Sequence, residues 1–289
     1  MKFTKMQGCG NDYVYINGFE EKIPDHSKAA IMLSNRHFGI GSDGLIFINP
    51  SDIADFEMEM YNSDGSRAEM CGNGIRCVGK YVYDHKLTEK KIITVNTLAG
   101  IKTLKLKVEN DKVSEVTVNM GMPILDVSKI PVKKDYANEN LAIGVKIFVD
   151  KEDYKMTCVS MGNPHAVIFI DCEEKEVPIE KLGPLFENHD AFPEKVNTEF
   201  VKVCDRTHIE MRVWERGAGE TFACGTGACA AVVASILNGY TDNAVEVKLQ
   251  GGNLFVEWDR EKNNVYMTGP AVSVFDGEIE NLELPRKAF

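Results

Sequence analysis

Cys71-Gly72-Asn73-Gly74 returns in altered form as Cys224-Gly225-Thr226-Gly227, at an offset of 153 residues (224 − 71). Walking back at that offset sets Met60-Tyr61-Asn62 over Val213-Trp214-Glu215, an apolar, an aromatic and a polar residue in both, and sets Val14 over Val167. A slip of one residue sets Gly10-Asn11 over Gly162-Asn163. Walking forward, Val116-Thr117-Val118-Asn119-Met120-Gly121 resembles Val265-Tyr266-Met267-Thr268-Gly269, each followed closely by a proline. Any one match is weak, because Gly-rich turns resemble one another by chance. Several in one order, at nearly one offset, indicate two copies of one domain.

Each copy reads as strands around a helix. Leu104, Leu106 and Val108 alternate onto one face, Asn110-Asp111 makes a turn, and Val116, Val118 and Met120 continue the pattern. In the second half Val245, Val247 and Leu249 are followed by a predicted Gly251-Gly252 turn and by Leu254, Val256 and Trp258. The run from Ala228 to Leu237 is apolar all round, which predicts a helix buried on every side. Its counterpart, Ile75 to Asp84, carries Arg76 and Lys80, so part of it is expected to reach water or a charged partner. The expected fold is strand-rich, a sheet around a central helix built twice. The site is expected in the cleft between the copies, where ligand sites often form.

Composition narrows the function. A chain of 289 residues is long enough for one large domain or two of about 150 residues. No apolar run approaches the roughly 20 residues needed to cross a bilayer. Met1-Lys2-Phe3-Thr4-Lys5 leads into Gly and Asn, not into an apolar signal core, so a cytoplasmic location and no membrane partner are expected. The net charge of −11 is spread along the chain, and no Lys/Arg block offers a nucleic-acid face. The eight cysteines, at 9, 71, 77, 158, 172, 204, 224 and 229, are expected to be reduced and mostly small buried hydrophobes. No CxxC occurs and Cys71-x5-Cys77 is a poor zinc spacing, so no metal is expected.

The two Cys-Gly-x-Gly turns carry the chemistry. Each thiol stands just before a predicted helix, where unpaired N–H groups and positive partial charge gather. That setting is expected to lower a thiol pKa from about 8.5 toward neutrality, and it also suits a carboxylate. Two such turns facing each other would hold a substrate carboxylate, with one sulfur on each face of the α-carbon. One thiolate removes the α-proton and the opposite thiol returns a proton, which inverts the centre. Fixed donors at the carboxylate stabilise the carbanion, and no cofactor is required.

The chain resembles the diaminopimelate epimerase family. The resemblance rests on Asn62-Ser63-Asp64-Gly65-Ser66, Glu69-Met70-Cys71-Gly72-Asn73-Gly74-Ile75-Arg76-Cys77, Gly162-Asn163-Pro164-His165, Trp214-Glu215-Arg216-Gly217-Ala218-Gly219-Glu220-Thr221 and Ala223-Cys224-Gly225-Thr226-Gly227. Met6-Gln7-Gly8, Gly10-Asn11-Asp12 and Arg36-His37-Phe38-Gly39-Ile40-Gly41 add to it, so it runs nearly end to end. It implies interconversion of LL- and meso-diaminopimelate without pyridoxal phosphate, on the route to lysine and peptidoglycan. It implies an α+β fold of two pseudo-symmetric domains, each a β-barrel-like sheet around a central helix. The tail would return to the first domain, giving residues 1–120 with 271–289 and residues 121–270. Some family members are homodimers.

The resemblance makes Cys71 and Cys224 the acid/base pair, with Gly72, Asn73, Gly225 and Thr226 supplying backbone donors. Asn11, Asn62, Asn163, Asn197 and Arg216 would hold the substrate, chiefly its distal end. His165 and Glu215 would tune the thiols, and Glu215 would also meet the α-ammonium. A bidentate arginine and amide side chains suit a zwitterion that must be read at its unreacted centre. Taken singly, Asn11 and Asn62 read as turn residues, Asn163-Pro164 as a turn start, His165 as structural and Arg216 as a surface charge. One position departs: some relatives carry Gln where this chain has Gly44, which is therefore left outside the site. Proline racemase-like enzymes share the two-thiol scheme but usually carry His in place of Asn73. Racemases of histidine or proline type, and a thiol redox or metal-binding protein, are the competing readings.

Overall fold

A computed structural model of the chain describes residues 1–280. The last part of the expected return segment, 281–289, lies outside the described residues. In chain order the elements are β1 (Lys2–Gly8), β2 (Asn11–Asn17), α1 (His26–Ser34), β3 (Gly44–Asn49), β4 (Phe56–Asn62), β5 (Arg67–Ala68), α2 (Gly72–Asp84), β6 (Ile92–Asn96), β7 (Lys102–Glu109) and β8 (Lys112–Gly121). There follow β9 (Val145–Val149), β10 (Glu152–Ser160), β11 (Pro164–Phe169), α3 (Ile179–Glu187), β12 (Asn197–Val203), β13 (His208–Glu215), β14 (Gly219–Thr221), α4 (Gly225–Leu237), β15 (Ala244–Leu249), β16 (Gly252–Asp259), β17 (Asn264–Pro270) and β18 (Val272–Glu278). Contacts divide the chain into two compact units, Met1–Val118 with the chain from Gly269 onward, and Asn119–Thr268.

The strand pairings show the duplication directly. In the first unit the order is β18-β1-β2-β3-β4-β6-β7-β8, with β5 folded back on β4. In the second it is β9-β10-β11-β12-β13-β15-β16-β17, with β14 folded back on β13. In both, the third and fourth strands run parallel, as do the fifth and sixth, and every other pair is antiparallel. Met60 pairs with Ala68 and Val213 with Thr221, so the offset of 153 holds in the register itself. Along the third strand the one-residue slip persists. Tyr13 faces Gly44 as His165 faces Asn197, so Val14 corresponds to Ala166 and not to Val167.

The central helices explain why a sheet closes around each. Helix α4 is buried from Gly227 to Ile236, and β10, β11, β12, β15 and β16 pack on it. Its alanines let strands approach closely, while Val232, Val233 and Ile236 each contribute about 1.5–3 kcal/mol by burial. Helix α2 takes the same place against β1, β2, β7 and β18. Arg76 does not reach water: it is 0% exposed. Its guanidinium turns back onto the carbonyls of Gly72 and Pro270 and the side chain of Asn73. Lys80 does find a charged partner, Asp84, and donates to the Val113 carbonyl.

Turn chemistry sets two hairpins. Asn110 and Asp111 both adopt positive φ between Glu109 and Lys112, as a tight turn matching strand twist requires. The second hairpin turns on Gln250-Gly251, one residue earlier than expected, because Leu249 already pairs with Gly252. At Gly44 a Cβ would lie 2.0 Å from the Tyr61 carbonyl oxygen, so β3 and β4 meet too closely there for a side chain. Gly44→Ala is expected to cost about 1–3 kcal/mol, read as a lower urea midpoint.

Candidate active site

Each central helix begins at a cysteine. Cys71 and Cys224 are the N-cap residues of α2 and α4, with extended backbones at φ −122°, ψ 122° and φ −116°, ψ 114°. The role usually falls to a Ser, Thr, Asp or Asn oxygen. Here the sulfurs accept the N–H of Gly74 at 3.4 Å and of Gly227 at 3.3 Å. The turn therefore aims a thiol and first-turn N–H groups in one direction, which is the setting for an anion and a proton carrier together.

At Cys71 the thiol meets an amide, with charge one step behind it. The thiol donates to Asn11 Oδ1 at 3.1 Å, while Asn11 Nδ2 donates to Asp43 Oδ2 at 2.6 Å. Asp43 thus fixes which end of the Asn11 amide faces the sulfur. Arg36 bridges Asp43 and Asp12, and Lys5 pairs with Asp12. Burial, and then the neighbouring Cys71 charge, hold the Tyr13 hydroxyl well above the ordinary phenol range. Asn73 is buried and its side-chain oxygen accepts from Arg76. Asn62 donates to Ser66 Oγ within its own turn.

The second unit arms its thiol differently. Cys224 is 6% exposed and lies 3.4 Å from Thr226 Oγ1. Burial, then the carboxylates of Glu215 and Glu199, push this thiol well above the ordinary range. The sequence suggests the opposite shift, from the helix start alone. Burial and two carboxylates outweigh that partial charge, because desolvation disfavours the charged form. Glu215 is likewise raised, chiefly by burial, and accepts from Thr221 Oγ1.

His165 is fully buried, with Nδ1 2.7 Å from Glu199 Oε1 and Nε2 2.9 Å from Asn163 Oδ1. Asn197 is a hub: Nδ2 donates to the Pro164 carbonyl and Oδ1 accepts the Arg216 N–H. The Arg216 guanidinium is exposed and donates to the Glu194 carbonyl.

The first unit thus groups Asn11 with Cys71, and the second groups Cys224 with Glu215 and Thr226, and His165 with Asn163. Sequence reasoning missed Glu199, Asp43 and Tyr13. For Glu199 a signal existed, since the offset of 153 sets it over Ile46, a charge where the other copy has hydrocarbon.

The fold is that of a phenazine biosynthesis protein of the PhzF family from Bacillus anthracis (TM-score 0.68, 18% identity, covering 96% of this chain and 98% of that one). It is equally that of a hydroxyproline epimerase from Agrobacterium vitis (TM-score 0.67, 13% identity, covering 96% and 90%). Within that fold class the chain belongs to the diaminopimelate epimerase family. The family model for diaminopimelate epimerase matches residues 3–125 and 157–274. The diaminopimelate epimerase of Agathobacter rectalis is 60% identical over 284 residues, covering 97% of this chain and 99% of that protein.

Proposed function

We propose that this chain epimerises LL-2,6-diaminopimelate to the meso form without a cofactor, with Cys71 and Cys224 as the two acid/base residues. The observation that carries the reading is the thiol standing as N-cap of a buried helix in both topologically matched units of a diaminopimelate epimerase family member. Inversion needs a proton removed from one face of the α-carbon and another delivered to the opposite face. One thiolate takes the α-proton and becomes a thiol. The other thiol gives its proton to the carbanion and becomes a thiolate. First-turn N–H groups at Gly72, Asn73, Gly225 and Thr226 stabilise the carboxylate as negative charge spreads onto it.

Glu215 receives the α-ammonium, and Asn11, Asn62, Asn163, Asn197 and Arg216 hold the distal end. Arg216 must leave the Glu194 carbonyl to grip a carboxylate, and its exposure supports that freedom. Arg216→Ala is expected to raise KM for LL-diaminopimelate about 10–100-fold with a smaller change in kcat, measured by initial rates. The product serves lysine and peptidoglycan precursor synthesis. The chain works in the cytoplasm, where reducing conditions keep the eight free cysteines as thiols. A homodimer is part of this reading, and the exposed Val272, Val274 and Phe275 of β18 offer an apolar strand for it. The deciding assay uses fully reduced, metal-free protein with LL-diaminopimelate, L-histidine and L-proline. Turnover of histidine or proline alone, or of none of the three, would overturn the assignment.

A further inference from the structure

Strand β12 sends Glu199 inward, and the side chain is 0% exposed. Its Oε1 holds His165 Nδ1 at 2.7 Å, while Oε2 has no hydrogen-bond partner among the described residues. A methyl placed on Gly227 would lie 2.6 Å from Glu199 Oε1 and 3.3 Å from Cys224 Sγ. Carboxylate and sulfur therefore both crowd the same point over Gly227 in the first turn of α4, too tightly for a methyl. A half-paired buried carboxylate is costly in a fold that could fill the slot with hydrocarbon. The first unit does so: a methyl on Gly74 would meet Ile46 Cδ1 at 2.8 Å, and Tyr13 stands in the His165 position. The Glu199–His165 pair stands in one of two otherwise matched sites, and stability does not account for it.

Resting on the reading that Cys224 exchanges a proton with substrate, we propose that Glu199 is the positioning residue of the Cys224 half-site. It fixes the His165 ring with Nδ1 as the donor, and its charge beside the sulfur keeps Cys224 a thiol until a substrate ammonium arrives. The groups facing Cys224 act in both senses. Glu215 from β13 and Glu199 from β12 oppose a thiolate; the Gly227 N–H and Thr226 hydroxyl from α4 favour one, and His165 from β11 holds Glu199 Oε1. An ammonium held by Glu215 would offset the carboxylates and free the thiol proton for transfer. In the first unit the Cys71 thiol donates to Asn11, and Tyr13 stands where the second unit has His165.

The test is Glu199→Gln in the full chain, which keeps the shape and an acceptor for His165 but removes the charge. Cysteine labelled with carbon-13 at Cβ reports thiol or thiolate at each position by NMR as pH rises. Removing a repelling charge must move the onset of Cys224 ionisation down, by about half a pH unit or more, with Cys71 unmoved. kcat for LL-diaminopimelate should fall about tenfold or more, with KM within about threefold. A Cys224 titration that does not move, two thiols that move together, or a kcat within about twofold of wild type would each overturn the proposal. Should the variant not fold, nitrogen-15 histidine spectra of the wild type decide. His165 Nδ1 must carry a proton at neutral pH, and a bare Nδ1 refutes the role. A wild type without epimerase activity would sink the functional reading, while the cysteine titrations would still judge Glu199.

Discussion

Cys71→Ala and Cys224→Ala are each expected to lower conversion of LL- to meso-diaminopimelate by about 10³-fold or more, measured by chromatographic separation of the isomers. The size follows from the stereochemistry. Inversion needs a carrier on each face of the α-carbon, and an alanine can neither take nor return a proton. Loss of fold is a poor alternative account. The sulfur's structural task is to cap its helix, and losing a cap costs about 1 kcal/mol. The variants should therefore keep the wild-type circular dichroism spectrum. In heavy water the wild type should place deuterium at one α-carbon of the product while unreacted substrate starts unlabelled. Label in the substrate before inversion would point to a single base, and near-normal turnover by either variant would remove that cysteine from the mechanism.

The repeat was legible because register and sequence share the offset of 153 around the two Cys-Gly-x-Gly turns, carried by residues with strong local reasons to stay. Asn110-Asp111 shows this, as its sequence demanded a turn with two positive φ angles. The apolar run of α4 was equally plain, since a helix without a polar face has nowhere to go but inside. Other features depended on neighbours distant in sequence. Nothing around Gln250 in isolation says that Leu249 will pair with Gly252. The thiol pKa was misread because a helix start is visible in the sequence, whereas the burial and the two carboxylates at Cys224 are products of tertiary packing. Asp43 was invisible for the same reason: it acts through the Asn11 amide, 32 positions away.

Arg76→Met is expected to destabilise the protein by about 3 kcal/mol, lowering the melting temperature by roughly 6–12 °C. The opposite outcome has a physical case, because replacing buried charge with hydrocarbon of similar volume is often neutral or stabilising. The second unit even does this naturally, with Cys229 at the equivalent position, 0% exposed. What decides against neutrality is what stays behind. Arg76 Nε donates to the Pro270 carbonyl at 3.1 Å and Nη1 to the Gly72 carbonyl at 3.1 Å. These are backbone acceptors, and the substitution does not remove them. Gly72 keeps the Arg76 backbone N–H of the helix, but the Pro270 carbonyl and Asn73 Oδ1 each lose a donor, and a buried acceptor left short in this way costs about 1–3 kcal/mol. The loss should also reach the chemistry, because Gly72 follows the reactive thiol directly and Pro270 leads into β18. Cutting both ties loosens the turn that aims Cys71, so kcat should fall together with the melting temperature. A variant that melts like the wild type would mean that the Pro270 carbonyl and Asn73 Oδ1 find other donors. Arg76 would then be retained for its charge behind the Cys71 turn, and the kcat of the same variant would measure that charge alone.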